Sequence, residues 1–293
     1  MSLLFKPVSI EIQNDYLRFF HKCSQKASDY SFVNIWGWAD EYGIELARDK
    51  NLIWIRQTRP EIVYWAPVGD WENADWEKII ETDITGYSVF IRVPETLANI
   101  WKNCAIRHMD IKEARGHWDY LYSVKDLVEL KGNRFHKKKN LFSQFIKSYN
   151  HEYIPLTPDI IEQAVSMQAD WCTWRDCEAT ETLSSENRVI EKILKVWEKL
   201  YGLKGGALKV DGKFVAYTVA ESIADDTLLI HFEKANQEYK GAYQAINRVF
   251  LEKNGKGYEK VNREQDLDDE SLRKAKLSYN PLDYIKKYRV VIS

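Results

Sequence analysis

The stretch HFEKANQEYKGAYQAIN, His231 to Asn247, sets titratable side chains, one glycine and a helix start in direct succession. Glu233 closes the apolar run TLLIHFE, and a carboxylate there could take a proton from an attacking amine or hydroxyl. The same carboxylate could instead pair with Lys234 or Arg263. On an ideal strand His231 shares a face with Leu229 and Glu233, which suits either a hydrogen-bonded sheet histidine or a base. After the strand, Asn236, Lys240, Gly241, Ala242 and Tyr243 form the turn into a helix. Main-chain N–H groups and the dipole at such a start suit a phosphate or the end of an acyl donor. Gly241 before Ala242 would let a ligand approach the backbone closely, or would simply start the helix.

A second cluster follows in NREQD. Asn262, Glu264 and Asp266 could hold an ammonium group, and Arg263 a phosphate or carboxylate. A salt-bridge network at a strand edge is the competing reading. In LRKAK, Arg273, Lys274 and Lys276 could meet phosphates or form a solvated helix face. The most asymmetric charge lies between Lys131 and Lys147, where Arg134, His136, Lys137, Lys138 and Lys139 occur without an acid. Such a run fits nucleic-acid phosphates or an anionic membrane surface, or else a charged surface helix. It opposes the helix dipole, so helix stability does not explain it.

These residues need elements to position them. The 293 residues are 45% hydrophobic with net charge −2, which predicts folded cores and no global basic field. Length suggests two domains, divided where HEYIPLTPDI breaks the pattern, as 1–152 and 153–293. In the first, NLIWIRQ, EIVYWAPV, YSVFIRV and DYLYSV read as strands. ADWEKIIET, PETLANIWKN and a span from Gly132 to Tyr149 read as helices. Phe135, Lys138, Phe142, Phe145, Ile146 and Tyr149 share one face of the last. In the second, two helices precede GGALKV and FVAYTVAES, joined by the hairpin signal Asp211-Gly212. TLLIHFE, a helix from Gly241, a strand in YEKVNRE, a helix ESLRKAKLSY and a closing strand IKKYRVVI follow. Helix, helix, three antiparallel strands, helix, strand, helix, strand is the order of the Gcn5-related N-acetyltransferase (GNAT) fold, of class α+β. Acetyl-CoA users of that fold carry Q/R-x-x-G-x-G/A after the fourth strand. Gln237 to Gly241 matches it only in part, with one residue extra.

Four strings resemble one family: YLYSVKDLVELKGNRFHKKKN, HFEKANQEYKGAYQAIN, VNREQDLDDESLRKAKLSYNP and, more weakly, SDYSFVNIWGW. They look like the bacterial family named for the C-terminal domain of phosphatidylglycerol lysyltransferase. The resemblance implies two tandem GNAT-like domains, as in Fem-type aminoacyltransferases, and an aminoacyl-tRNA donor. It also implies lipid headgroups as acceptors in the lipid-modifying relatives.

Other chemistries lack their motifs: there is no serine elbow, P-loop, HExxH or GxGxxG. Cys23, Cys104, Cys172 and Cys177 show no zinc spacing and read as reduced thiols. No signal peptide or transmembrane run is present, which predicts a soluble, cytoplasmic protein. The expectation is a ternary-complex acyltransferase with Glu233 and Arg263 catalytic and no metal or required cofactor. Its partners would be charged tRNA and an anionic lipid headgroup or small-molecule acceptor. An acyl-CoA-dependent N-acetyltransferase, or a binding protein that kept the fold, are the alternatives. Oligomeric state is not legible.

Overall fold

A computed structural model describes residues 3–49, 51–82, 84, 86–104 and 108–293. The chain divides into two compact units. One comprises 1–119, 265–270 and 284–293, the other 120–264 and 271–283. The division expected at 152/153 therefore falls inside the second unit. The reason is strand pairing between distant segments, which local patterning does not encode.

The first unit opens with β1 (Lys6–Pro7), α1 (Gln13–Phe20), α2 (Phe32–Gly37) and α3 (Ala39–Tyr42). Then come β2 (Ile44–Arg48), β3 (Leu52–Gln57), β4 (Val63–Gly69), α4 (Trp76–Thr82), β5 (Ser88–Pro94), α5 (Glu95–Lys102) and β6 (Met109–Glu113). Strands β2, β3 and β4 pair antiparallel, and β4 pairs parallel with β5 through Tyr64↔Phe90 and Trp65↔Ile91. The alternating Ile, Val and Trp residues of β3 and β4 supply its core.

The second unit contains β7 (Asp119–Ser123, beginning at the last residue of the first), α6 (Val124–Glu129), α7 (His136–Ser148), β8 (His151–Pro155), α8 (Ile161–Arg175) and α9 (Glu181–Lys195). It continues through β9 (Leu203–Val210), β10 (Lys213–Ala224), β11 (Thr227–Ala235), α10 (Ala242–Asn254), β12 (Lys260–Asn262), α11 (Glu270–Leu277, whose first residue belongs to the first unit) and β13 (Asp283–Ile285, of which only Asp283 belongs to the second). The last strand, β14 (Lys287–Ile292), returns to the first unit. There it lies between β5 and β6, antiparallel to both. IKKYRVVI was expected to close the second domain. That role falls to β7, which pairs antiparallel with β12.

The second sheet runs β13-β7-β12-β11-β10-β9-β8. Asp211 and Gly212, both at positive φ, make the tight β9–β10 connection that their sequence predicts. HEYIP, expected as a break, is the edge strand β8, where a proline leaves no internal ladder bond unmade. Each unit thus repeats three antiparallel strands, a helix, a parallel strand and a helix, the GNAT-like pattern.

The core of the first unit holds charge as well as rings. Lys287 donates to Asp29 and, at 2.6 Å, to Asp119. Arg92 pairs with Asp29 at 2.8 Å, and Ser28 caps Asp119 through both its amide and its hydroxyl. Burial would raise the Asp29 pKa, but Lys287 and Arg92 outweigh it and bring it to about 2. The SDYSF string is therefore the carboxylate half of a buried ionic cluster.

Cys172 and Cys177, expected as free packing thiols, form a disulfide. Asp176, in the left-handed region after α8, turns the chain back and brings their Cα atoms to 5.0 Å. Cys23 and Cys104 are free.

Candidate functional site

The second unit gathers its charged residues where β11 and β12 part. The parallel pairing covers only Thr227↔Lys260 to Leu229↔Asn262, while β11 continues to Ala235. Past the last pair, Glu233 on β11 meets Arg263 just beyond β12, with Nη2 to Oε1 at 2.8 Å. The other carboxylate oxygen accepts from Asn247 Nδ2 of α10 at 3.0 Å. Both side chains are largely buried, at 8% and 15% exposed. Burial opposes the charge of Arg263, but Glu233 outweighs it and the guanidinium pKa rises. Of the readings open for Glu233, a base or an ion pair with Lys234 or Arg263, the structure shows the Arg263 pair: both oxygens are committed and the carboxylate is the counter-ion that holds Arg263.

Two tyrosines wall this pair. The Arg263 guanidinium lies 4.7 Å from the Tyr279 ring centre and 5.8 Å from that of Tyr122. Tyr279 accepts from Gln244 at 3.3 Å, and its pKa is raised, first by burial. Lys276, from the LRKAK segment, turns inward and donates to the main-chain carbonyls of Arg263 and Glu264. It fixes the backbone that carries the guanidinium. Arg273 is half-buried and Lys274 exposed on the same helix.

Lys138 belongs here rather than on the basic surface. It is half-buried on α7, with its ammonium 4.0 Å from the Tyr279 ring centre. Burial, then the nearby Arg263, lowers its pKa to about 8, against the opposite pull of Glu233. Phe145 on the same helix is buried and Phe142 and Tyr149 pack on the core, whereas Ile146, expected on that face, is exposed.

His231 is a clamped residue. The β10–β11 register slips between Val219↔Phe232 and Ala220↔Ile230, leaving His231 as the extra residue of a bulge. Its ring, fully buried, lies 3.0 Å from Glu221 and 3.3 Å from Glu264. Burial would lower its pKa, but the two carboxylates outweigh that and raise it to about 9. Glu264, at φ 56, donates its amide to Asn262 Oδ1 at 2.8 Å, so Asn262 shapes the turn.

The turn after β11 is built from its own atoms. Asn236 accepts from the Glu238 amide at 2.9 Å, and Ala242 N donates to Tyr239. Gly241 has φ 90, and a Cβ there would lie 2.2 Å from the Leu141 carbonyl oxygen of α7. Its glycine is thus required by helix packing, with Ala242 buried behind it. Tyr243 accepts from Trp171 at 3.1 Å, and Lys240 is exposed.

Asp266 is absent from this cluster because the chain leaves the second unit at Gln265. In the first unit it is fully buried, 3.3 Å from Arg115, and accepts from the Asp268 amide. The basic run is also less naked than its sequence. Arg134 pairs with Asp126 at 2.6 Å and His136 contacts Asn140. Lys137 and Lys139 are exposed and carry no ion pair among the described residues. A groove of about 520 Å³ between α8 and the end of α9 is lined by Pro158, Ile161 and Trp197, and none of the site residues lines it.

Asn247, Tyr122, Tyr279 and Glu221 were missed by sequence reasoning, and Lys276, expected to meet phosphates or solvent, binds main-chain carbonyls instead. Asn247 and Glu221 had a signal, as lone polar residues on otherwise buried faces. No group of metal-ligating side chains forms among the described residues, and no helix of theirs is long and apolar enough to cross a membrane.

A family described as phosphatidylglycerol lysyltransferase, C-terminal, matches residues 20–291. The chain belongs to this family. A solved protein of unknown function from Bacteroides thetaiotaomicron is similar to this member of the phosphatidylglycerol lysyltransferase C-terminal family throughout its length. It is 31% identical over 99% of this chain and all of that one, with TM-score 0.90. L-PGS from Bacillus licheniformis shares the fold at 11% identity and TM-score 0.64, over 97% of this chain and 92% of its own. An uncharacterised protein from Mycoplasmoides gallisepticum is 26% identical over 176 residues. That match spans 59% of this chain and 56% of the relative. Family and fold together mark the chain as a transferase with two GNAT-like domains.

Proposed function

We propose that the second unit transfers an aminoacyl group from charged tRNA to an amine or hydroxyl of a lipid or small molecule. The observation that carries this reading is the family match over residues 20–291. The L-PGS fold likeness supports a lipid acceptor as the first to try. The packing at Gly241 favours tRNA over acyl-CoA. A carbonyl oxygen against the α10 start is poor company for a pyrophosphate, since it adds negative potential where the ligand brings more. Arg263, held charged by Glu233, would stabilise the oxyanion or hold a phosphate. Exposed Lys137, Lys139 and Lys240 would meet the tRNA backbone.

Filter binding of bulk charged tRNA across a salt series, with acetyl-CoA as competitor, tests the donor. The expected result is steep salt dependence that acetyl-CoA does not alter. Each of Lys137→Ala and Lys139→Ala should flatten the log–log slope by about one. Absence of binding at low salt would refute the donor. Displacement by acetyl-CoA would move acyl-CoA into its place.

A further inference from the structure

Proton transfer at this site needs a group that can change charge near neutral pH. Both oxygens of Glu233 are engaged, by Arg263 and by Asn247. His231 is held as the imidazolium between Glu221 and Glu264, with a pKa of about 9. The hydroxyls of Tyr279 and Tyr243 are both shifted upward, first by burial.

Lys138 differs from all of these. Its amine lies over the Tyr279 ring, 4.0 Å from the centre, and makes no hydrogen bond or ion pair among the described residues. The charged groups acting on it are Arg263, beyond β12, and Glu233, on β11. Own-element neighbours His136, Lys137 and Lys139 are exposed, and Arg248 of α10 stacks instead on Phe142. Arg263 brings a second cation to the same ring, and Glu233 is already spent on Arg263. Lys138 is half-buried, so part of the residue reaches the surface.

We propose that Lys138 is the catalytic proton carrier of acyl transfer at this site, a role that rests on the acyltransferase reading above. The neutral amine accepts the proton of the acceptor N–H or O–H as that atom bonds to the donor carbonyl carbon. The tetrahedral oxyanion then collapses and the bond from carbonyl carbon to ribose oxygen breaks. The Lys138 ammonium returns the proton to that leaving oxygen, and the neutral amine is regenerated. No electrons are exchanged beyond these bonds. Its pKa of about 8 supports the role, since a base works best near its operating pH.

Two measurements on the full chain test this. The first is trace acetylation with acetic anhydride across pH 6–11, read by peptide mass spectrometry with Lys137 and Lys139 as internal references. Lys138 should label with a midpoint near pH 8, and an ordinary midpoint of about 10.4 would overturn the proposal whatever the activity. The second is single-turnover transfer from bulk charged tRNA, or from acetyl-CoA, to phosphatidylglycerol vesicles and to a pool of small amines. The wild-type rate should rise with pH to a plateau above about 8. Lys138→Met should lose roughly 10²- to 10⁴-fold, together with that pH dependence. Lys138→Arg should be as impaired, because arginine keeps the charge but does not titrate. Rescue by arginine would make Lys138 an anion-binding cation and overturn the proton role. Unchanged transfer in Lys138→Met would overturn Lys138 while leaving the acyltransferase reading intact. No wild-type transfer from either donor would overturn that reading, and this role with it.

Discussion

The His231 clamp makes stability depend on pH in a direction opposite to that of most buried histidines. A histidine buried without a partner loses its charge on folding. Here the folded pKa rises from 6.5 to about 9, because Glu221 and Glu264 outweigh burial. The imidazolium is therefore favoured by the fold. Its contribution is fully present below about pH 6.5 and is lost as pH rises through about 9. At about 1.4 kcal/mol for each pH unit, the interval corresponds to about 3 kcal/mol. The perturbation is His231→Gln, which keeps size and polarity but cannot carry the charge. Urea unfolding of both proteins from pH 6 to 10 isolates the effect, because every other titration is common to the pair. The variant should be less stable at pH 6.5, and the gap should narrow by about 3 kcal/mol by pH 10. A gap independent of pH would refute the reasoning. So would an NMR titration of the His231 ring with its midpoint at or below 6.5.

Other substitutions separate packing from chemistry. Gly241→Ala forces a Cβ to within 2.2 Å of Leu141 O at φ 90. It should lower stability by about 2 kcal/mol in denaturant unfolding, whether or not any anion is present. Lys287→Met removes the buried ammonium between Asp29, which keeps Arg92, and Asp119, and should cost about 3–5 kcal/mol by the same measurement. In the wild type, the Asp29 contribution is present above about pH 4 and lost as pH falls through about 2, visible as an acid transition that Asp29→Asn removes. Glu233→Gln removes the group that holds the Lys138 charge up. The Lys138 labelling midpoint should drop below about 8, and Arg263→Gln should raise it.

Local rules were legible wherever one residue's environment is set by its neighbours in sequence. The β-strands around Thr58–Pro60, the Asp211-Gly212 hairpin and the helix after Gly241 follow from period, turn chemistry and capping. Partners far along the chain were not. Nothing in KYRVVI says that its strand lies between β5 and β6 rather than beside β12, because either place would bury the same alternating face. The site divides in the same way. The Glu233–Arg263 pairing was among the readings of those residue types, since a strand-end acid near an arginine is a natural ion pair. Helical period places Lys138, and not Lys137 or Lys139, on the apolar face of α7, but not the Tyr279 ring that it meets far along the chain. Asp266 fell away because the chain changes unit directly after Glu264, and no pattern in NREQD signals that departure.

The placement of β14 also bears on how the chain acquires its shape during synthesis. The first sheet has β5 and β6 ready after 113 residues, yet the strand that joins them is made only with residues 287–292. The same late segment brings Lys287, the cation that links Asp29, also paired with Arg92, to buried Asp119. A nascent chain must therefore hold an incomplete, acid-lined half while the whole second unit emerges. Its cohesion is set by one late, long-range closure, so cutting the gene at residue 152 would orphan a sheet rather than release a domain.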